Sequence, residues 1–258
     1  MIKTITNSEF DNEKIAKILT PIDEQLQNYD FSKVVVKKPW GYEYLMYQNN
    51  NLSIWILHIK KEFSTSMHCH LKKKTALFVL YGEVVCTTLQ DGLKLNEGDG
   101  LILSRKVFHS TQALSENGAI IMEVEVPSRK TDLLRLSDSY GREAKGYESE
   151  DYISSDLSEF SYVSFSEREF DMIKKIRNAE ICLKNFNEDA SMRDYFSKEK
   201  NGIGVVLEGK LVNDSDGKYF EIGDIFQLNA LKEIENMIVI GATTILKINK
   251  PSNESYSI

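Results

Sequence analysis

The chain has 258 residues, of which 41% are hydrophobic and 28% charged, and a formal net charge of -7. This is a globular composition, long enough for one large or two small β-domains, and its acidic balance argues against a nucleic-acid partner, which a basic face would serve. No apolar run reaches the roughly 18 residues that span a bilayer, the polar N-terminus MIKTITNSEFDNEK lacks the apolar centre of a signal peptide, and Cys69, Cys86 and Cys182 make no even framework; a reducing, cytoplasmic setting is expected.

From the N-terminus, residues 8–28 carry Phe10, Ile15, Ile18, Leu19, Ile22 and Leu26 at helical spacing, with Ser8 placed as a cap and Pro21 as a break or kink. Residues 34–126 read as closely spaced strands, among them SIWILHI, ALFVLYG, EVVCTTL, GLIL and AIIMEVEV, separated by Gly, Asp and Asn turns. Residues 128–165 are polar and predict a linker or a wrapping segment. A short helix is predicted over SEREFDMIKKI, and a second β-rich stretch ends near Pro251.

The second stretch repeats the first. VLYGEVVCTTLQDGLKLNEGDGLIL (79–103) and VLEGKLVNDSDGKYFEIGDIFQL (206–228) align Gly82 with Gly209, Gly92 with Gly217 and Gly98-Asp99 with Gly223-Asp224, once a short gap is allowed. Such self-similarity predicts a duplicated architecture, with chance likeness between β-hairpins as the alternative. The chemistry is not duplicated, because His58, His68, His70 and His109 all lie in the first copy. The predicted fold is mainly β. It has two β-barrel or jelly-roll units, the second degenerate, and a short N-terminal helix. The predicted boundaries are an N-terminal helical segment (1–33), a barrel with the metal site (34–128), a linker with a short helix (129–177) and the second unit (178–258).

His68 and His70 are two residues apart. On a strand, side chains i and i+2 share a face, so both rings aim the same way. His109 follows the turn Gly98-Asp99-Gly100 and the run LIL, and can approach from a neighbouring strand. Three imidazoles suit a divalent metal ion such as Zn, Mn or Fe without choosing among them. The alternative is a barrel that has lost its metal and keeps polar residues inside.

These residues resemble the cupin superfamily. Its first motif is matched from His68 and His70 to Gly82, with Thr75 where a Glu is expected. Its second is matched by Gly98-Asp99 and His109, with Ser104 in place of Pro. The entrance Lys38-Pro39-Trp40-Gly41-Tyr42-Glu43, the run Glu123-Val124-Glu125 and the exit Asp132-Leu-Leu-Arg-Leu-Ser-Asp138-Ser-Tyr140-Gly141-Arg142 are similar to the isomerase domain of type II mannose-6-phosphate isomerases over about residues 37–143. Those are usually fused to a mannose-1-phosphate guanylyltransferase. The Gly-rich loop of that half is not found here, so no GTP chemistry is expected. The resemblance implies a cupin bicupin, a metal-dependent reaction on a sugar phosphate, and a setting in activated-sugar or surface-polysaccharide synthesis.

Threonine is a poor metal ligand, so Thr75 leaves three histidines and open positions. Glu123 and Glu125 share a strand face opposite Met122, Val124 and Val126. If that face lines the barrel, one of them can serve as fourth ligand or general base, and the resemblance favours Glu123; if it faces solvent, neither does. Lys72, Lys73 and Lys74 follow the histidine pair. With Arg105 and Lys106 they can border the pocket and hold a phosphate, or form a solvated turn. Lys73 is the lysine expected to join Glu123 in moving a proton, with Lys72, Lys74 and Arg105 on the substrate's anion. Arg142 matches the family's terminal Tyr-Gly-Arg. His58 alternates with Ile54 and Ile56 and reads as a buried or interface histidine. Cys69 points away from the two histidines. Trp40 and Tyr42 can fill the core or stack on a sugar ring.

Two enzyme classes follow, together with a non-catalytic sugar-binding cupin. In an isomerase, a divalent ion would polarise a carbonyl and stabilise an enediolate. In a three-histidine Fe(II) dioxygenase, open positions would take O₂ and substrate. The partner expected is a small sugar phosphate, with neither nucleic acid nor membrane; a homodimer is compatible with the sequence but not required by it.

Overall fold

The computed structural model describes residues 1–18, 29–141, 147–198, 202–214, 217–228 and 237–249. They divide into two compact units, Met1–Ser164 and Phe165–Ile258. Among the described residues no helix is long and apolar enough to cross a membrane.

The first unit begins with β1 (Ile2–Ile5) and α1 (Glu9–Lys17), followed by β2 (Val35–Lys38), β3 (Gly41–Gln48), β4 (Ser53–Ile59), β5 (Met67–Cys69), β6 (Lys74–Tyr81) and β7 (Glu83–Thr88). It continues with β8 (Gly92–Asn96), β9 (Gly100–Leu103), β10 (His109–Ala113), β11 (Ala119–Val126), β12 (Leu134–Ser137) and β13 (Ile153–Ser154). Eight strands pair in the order β1-β9-β6-β11-β4-β3-β2-β13 and five in the order β12-β5-β10-β7-β8. Every pairing is antiparallel except β1 with β9. Inward residues of both sheets, including Trp55, Leu57, Leu77 and Leu101 from the larger and Val84 and Leu95 from the smaller, pack in one core. This is the mainly β jelly-roll arrangement expected from the strand rhythm.

Ser8 caps α1 in a reciprocal capping box with Asp11. The same Asp11, buried, accepts the Phe108 N–H at 2.9 Å, which ties the helix to the loop before His109. Leu19, Pro21, Ile22 and Leu26 lie outside the described residues. β1 was not predicted. Its four residues show no alternation, and its partner lies about a hundred positions away in β9. Residues 129–164, expected as a linker or a wrapping segment, belong to the first compact unit. Their polar side chains mimic a loop because several face a polar cavity.

The second unit contains β14 (Lys174–Ile176), β15 (Ala179–Phe186), α2 (Asp189–Lys198), β16 (Ile203–Asn213), β17 (Tyr219–Phe220), β18 (Ile225–Gln227) and β19 (Met237–Asn249). The helix expected over residues 166–176 does not form. Glu169 accepts the Ser166 N–H at 2.6 Å in a turn, Asp171 has φ 62°, and Lys174–Ile176 pairs with β15.

The sequence repeat is visible in hydrogen bonds. The Val79 N–H donates to Asp99 O and the Gly98 N–H to Val79 O; Val206, Asp224 and Gly223 repeat both bonds. The Asp99 carboxylate accepts the Asn96 N–H and the Asp224 carboxylate the Glu221 N–H, both at 2.9 Å. Gly82 and Gly209 both have positive φ, 80° and 74°, which a side chain would strain. The expected Gly92–Gly217 match does not hold in conformation. Gly217 has φ 72°, whereas Gly92 opens β8 outside the left-handed region.

Pairing extends the correspondence. β16 meets β18 early and β17 late, as β6 meets β9 and β7 meets β8. The long β19 runs beside both parts of β16, so that one strand does what β11 and β10 do separately in the first unit. The described strands of the second unit consequently form one six-stranded sheet, a reduced form of the two-sheet plan.

Candidate metal centre

β5 carries His68 inward and His70 directly follows the strand, and β10 places His109 opposite His68 in antiparallel register. Ring centroids lie 4.5 Å apart for His68–His109, 5.0 Å for His68–His70 and 5.4 Å for His70–His109. One nitrogen from each ring falls within 4.8 Å of the others. Cys69 points to the opposite side and packs with Phe108 and Leu134, where burial pushes its thiol up to about 12.

Each Nδ1 meets a backbone carbonyl: His68 with Ser66 O at 2.8 Å, His70 with Asp132 O at 2.6 Å and His109 with Val107 O at 3.0 Å. A carbonyl only accepts, so each Nδ1 carries the hydrogen and each Nε2 keeps its lone pair. The His70 Nε2 is buried with no hydrogen-bond partner. Burial lowers all three ring pKa values, helped at His68 by His109 and at His70 by Lys73, and takes His109 to about 4. Three neutral rings with fixed tautomers and an unpartnered buried nitrogen are the donor set a divalent ion needs. These residues fit a metal ion.

Asp132 supports this set twice. Its carbonyl fixes His70, and its carboxylate accepts the N–H groups of Leu71, Lys72 and Lys73 at 3.1, 2.8 and 2.9 Å. The turn after the histidine pair is thereby held by one residue of the segment leading into β12. On the other flank, Arg135 Nε donates to Ser66 Oγ at 3.2 Å beside His68.

The histidines line a cavity that also presents Lys38, Trp40, Glu43, Lys73, Glu123, Glu125, Lys130, Arg135, Tyr147 and Glu148. Glu123 and Glu125 both face it, and Met122 and Val124 on the other face are buried too. Alternation therefore could not choose the functional side. Glu123 Oε1 lies 4.0 Å from His70 Nε2. Burial, reinforced by Glu125, raises its carboxyl to about 7. Burial alone would raise Glu125 as well, but Lys73, 2.6 Å away, and Lys130 hold it low. Burial opposes ionisation of Glu43 too, yet Lys130 and Lys38 bring it down to about 2.

Lys72, Lys74 and Arg105 do not line this cavity, and Lys72 and Arg105 are exposed. Lys73 does, because the turn held by Asp132 sends only the middle lysine inward. The cations the sequence reading missed are Lys38, Lys130 and Arg135; Lys38 and Arg135 belong to the Pro-Trp-Gly entrance and Asp-Leu-Leu-Arg exit already singled out. Trp40 is buried on the cavity wall, whereas Tyr42 stacks on His58 with centroids 4.3 Å apart. Thr75 sits opposite Glu125 with its hydroxyl buried and unpartnered. Arg142 lies outside the described residues.

Strand order and histidine cluster agree with the cupin reading, and the solved structures to which the chain is similar include cupins. KdgF from Halomonas sp. is 16% identical over 36% of this chain and 84% of its own, with a TM-score of 0.34. An RmlC-like cupin from Shewanella frigidimarina is 18% identical over 37% of this chain and 85% of its own, at 0.34. A cupin-superfamily sugar phosphate isomerase from Silicibacter pomeroyi is 14% identical over 30% of this chain and 52% of its own, at 0.29; the chain thus spans about half of that protein. No protein-family model matches the sequence, and no curated protein matches it significantly.

Proposed function

We propose that the protein is a metal-dependent, isomerase-like cupin that moves a proton between adjacent carbons of a sugar substrate. The resemblance to mannose-6-phosphate isomerases makes sugar phosphates the first class to test and activated-sugar or surface-polysaccharide synthesis the setting. The observation that carries this reading is the placement of Glu123 beside the His70 Nε2, in a cluster of three histidines whose tautomers are fixed by backbone carbonyls. A divalent ion, Zn, Mn or Fe, held by His68, His70 and His109 would supply Lewis-acid polarisation of a carbonyl oxygen. Glu123 takes the proton from the hydroxyl-bearing carbon next to that carbonyl, the C–H electrons forming C=C as the carbonyl pair moves onto oxygen. The hydroxyl proton of that carbon passes to the former carbonyl oxygen, and Glu123 returns its proton to the former carbonyl carbon, leaving the new carbonyl at the neighbouring carbon. Lys73 keeps Glu125 ionised next to this base and adds positive charge to the wall. The buried wall around them excludes bulk water.

The test is hydrogen exchange. Metal-loaded protein in D₂O should place deuterium beside the carbonyl of its sugar substrate, read by NMR, and Glu123→Gln should slow this by about 10²-fold or more. Unchanged exchange in that variant would remove Glu123 from the mechanism. Thr75, standing where a carboxylate ligand is expected, favours a second reading, a three-histidine iron dioxygenase; substrate-dependent O₂ uptake without hydrogen exchange would establish it instead.

A further inference from the structure

Each cation on the cavity wall already has a carboxylate. Lys38 lies 3.3 Å from Glu43 and also pairs with Glu148. Lys73 holds Glu125 at 2.6 Å. Lys130 lies 3.0 Å from Glu43 and 3.7 Å from Glu125. Arg135 Nη2 lies 3.4 Å from Glu148. All these side chains are buried except that of Lys130, which is 10% exposed. Together they make a continuous chain of alternating charge, Lys73–Glu125–Lys130–Glu43–Lys38–Glu148–Arg135.

A phosphate or carboxylate brought to any of these cations meets a like charge at salt-bridge distance and must displace it within a desolvated wall, which is strongly unfavourable. At the histidine end a bound divalent ion would be taken up by the reacting oxygens of the substrate, with Glu123 beside it, so the remainder of the substrate faces the paired wall. A hydroxyl behaves differently: it donates to the carboxylate and accepts from the ammonium of one pair without separating them. Sugars carry several hydroxyls at spacings that neighbouring pairs can meet. Trp40 and Tyr147 on the same wall supply apolar ring surface for the C–H faces between them.

We propose that the cavity encloses an uncharged polyhydroxy carbonyl compound: a free sugar, or the neutral end of a sugar derivative whose ionised group stays outside. This rests on reading the cavity as a sugar site. It relocates substrate recognition from the lysine run to the paired wall, and leaves any phosphate ester no subsite among the cavity residues.

The experiment is calorimetric titration of the full chain, loaded with Zn or Mn, with D-fructose and D-fructose 6-phosphate, and with D-mannose and its 6-phosphate. Each free sugar should bind no more than about tenfold more weakly than its ester (about 1.4 kcal/mol). An ester preferred by a larger factor, or binding of no probe, would overturn the proposal. Glu148→Gln, which leaves Lys38 and Arg135 less compensated, should raise the ester-to-sugar affinity ratio by about tenfold; an unchanged ratio in a folded variant would also count against the proposal. The isomerase reading fails separately. A free sugar that binds as expected but shows no hydrogen exchange would end that reading and leave this one standing.

Discussion

The two β units share a frame and differ in what is set into it. In the first, the connection from β4 to β6 contains β5 and the histidine pair; in the second, the corresponding connection from β15 to β16 contains α2. Around that difference the turn bonds of Gly98-Asp99 and Gly223-Asp224 are the same, as are the left-handed glycines 82 and 209. The frame depends on backbone geometry that few residues satisfy. The site depends on one short strand that the frame tolerates losing. An HxH needs a strand to aim two rings together, so a helix at that place removes the metal site without dismantling the β architecture. In place of a cavity lined by paired charges, the helix gives the second unit an apolar cluster of Met192 and Phe196 with Phe186 and Val206.

The comparison can be broken at the charged wall, where the largest effect is expected. Lys130→Met leaves Glu43 and Glu125 buried with less compensation and should cost about 3–5 kcal/mol in chemical denaturation. No counterpart exists in the second unit's apolar cluster. The same wall predicts acid sensitivity. Glu43 ionises at about 2 when folded, below its ordinary 4.5, so its contribution is complete above about pH 4.5 and lost as pH falls toward 2. A stability–pH curve for Glu43→Gln should be flatter in that window, and an unchanged slope would assign acid loss to other carboxylates.

The shared frame predicts matching damage. A Cβ at Gly82 would lie 2.7 Å from Gly118 O, and one at Gly209 would lie 2.4 Å from Thr243 Oγ1 and 2.7 Å from Ala242 O. Gly82→Val and Gly209→Val should each destabilise by about 2–4 kcal/mol in thermal melts. Gly92→Ala, at a residue whose counterpart differs in conformation, should cost well under about 1 kcal/mol. A tolerated Gly209→Val would show that the second copy does not depend on the repeated turn.

Asp132→Asn should weaken metal affinity about 10–100-fold in competition with a chelating dye, because it weakens the carboxylate bonds that hold the turn after the histidine pair and so the placement of the His70 ring on the Asp132 backbone carbonyl. An unchanged affinity would confine its role to the loop. The smallest effect belongs to Thr75→Val. Its hydroxyl is buried without a partner, so replacement should change stability by less than about 1 kcal/mol, toward stabilisation, and leave metal content intact.

Much of this was legible in sequence because it is local. The HxH spacing, the Gly-Asp turns and the strand runs each need only a few neighbouring residues, and each appears where expected. Lys130 had no such signal: its partners Glu43 and Glu125 come from β3 and β11, and only tertiary pairing brings them together. The lysine run misled for a related reason. Residues 72 to 74 look alike in sequence, yet hydrogen bonds to Asp132, some sixty positions away, help set which lysine points inward. β11 failed the alternation test because both of its faces are buried. Polarity alone does not separate a linker from a wrapping segment after β11, because it marks a polar cavity as readily as solvent.

The central claim, that β5 and β10 build a metal site which the second unit lacks, is tested most directly by elemental analysis of the full chain after loading with Zn, Mn or Fe and removal of free ion. The wild type should retain about one divalent ion per chain, and His70→Ala should retain none while keeping its far-ultraviolet circular dichroism. Equal metal content in the two proteins, or none in the wild type, would contradict the account and leave three converging neutral imidazoles without their ion.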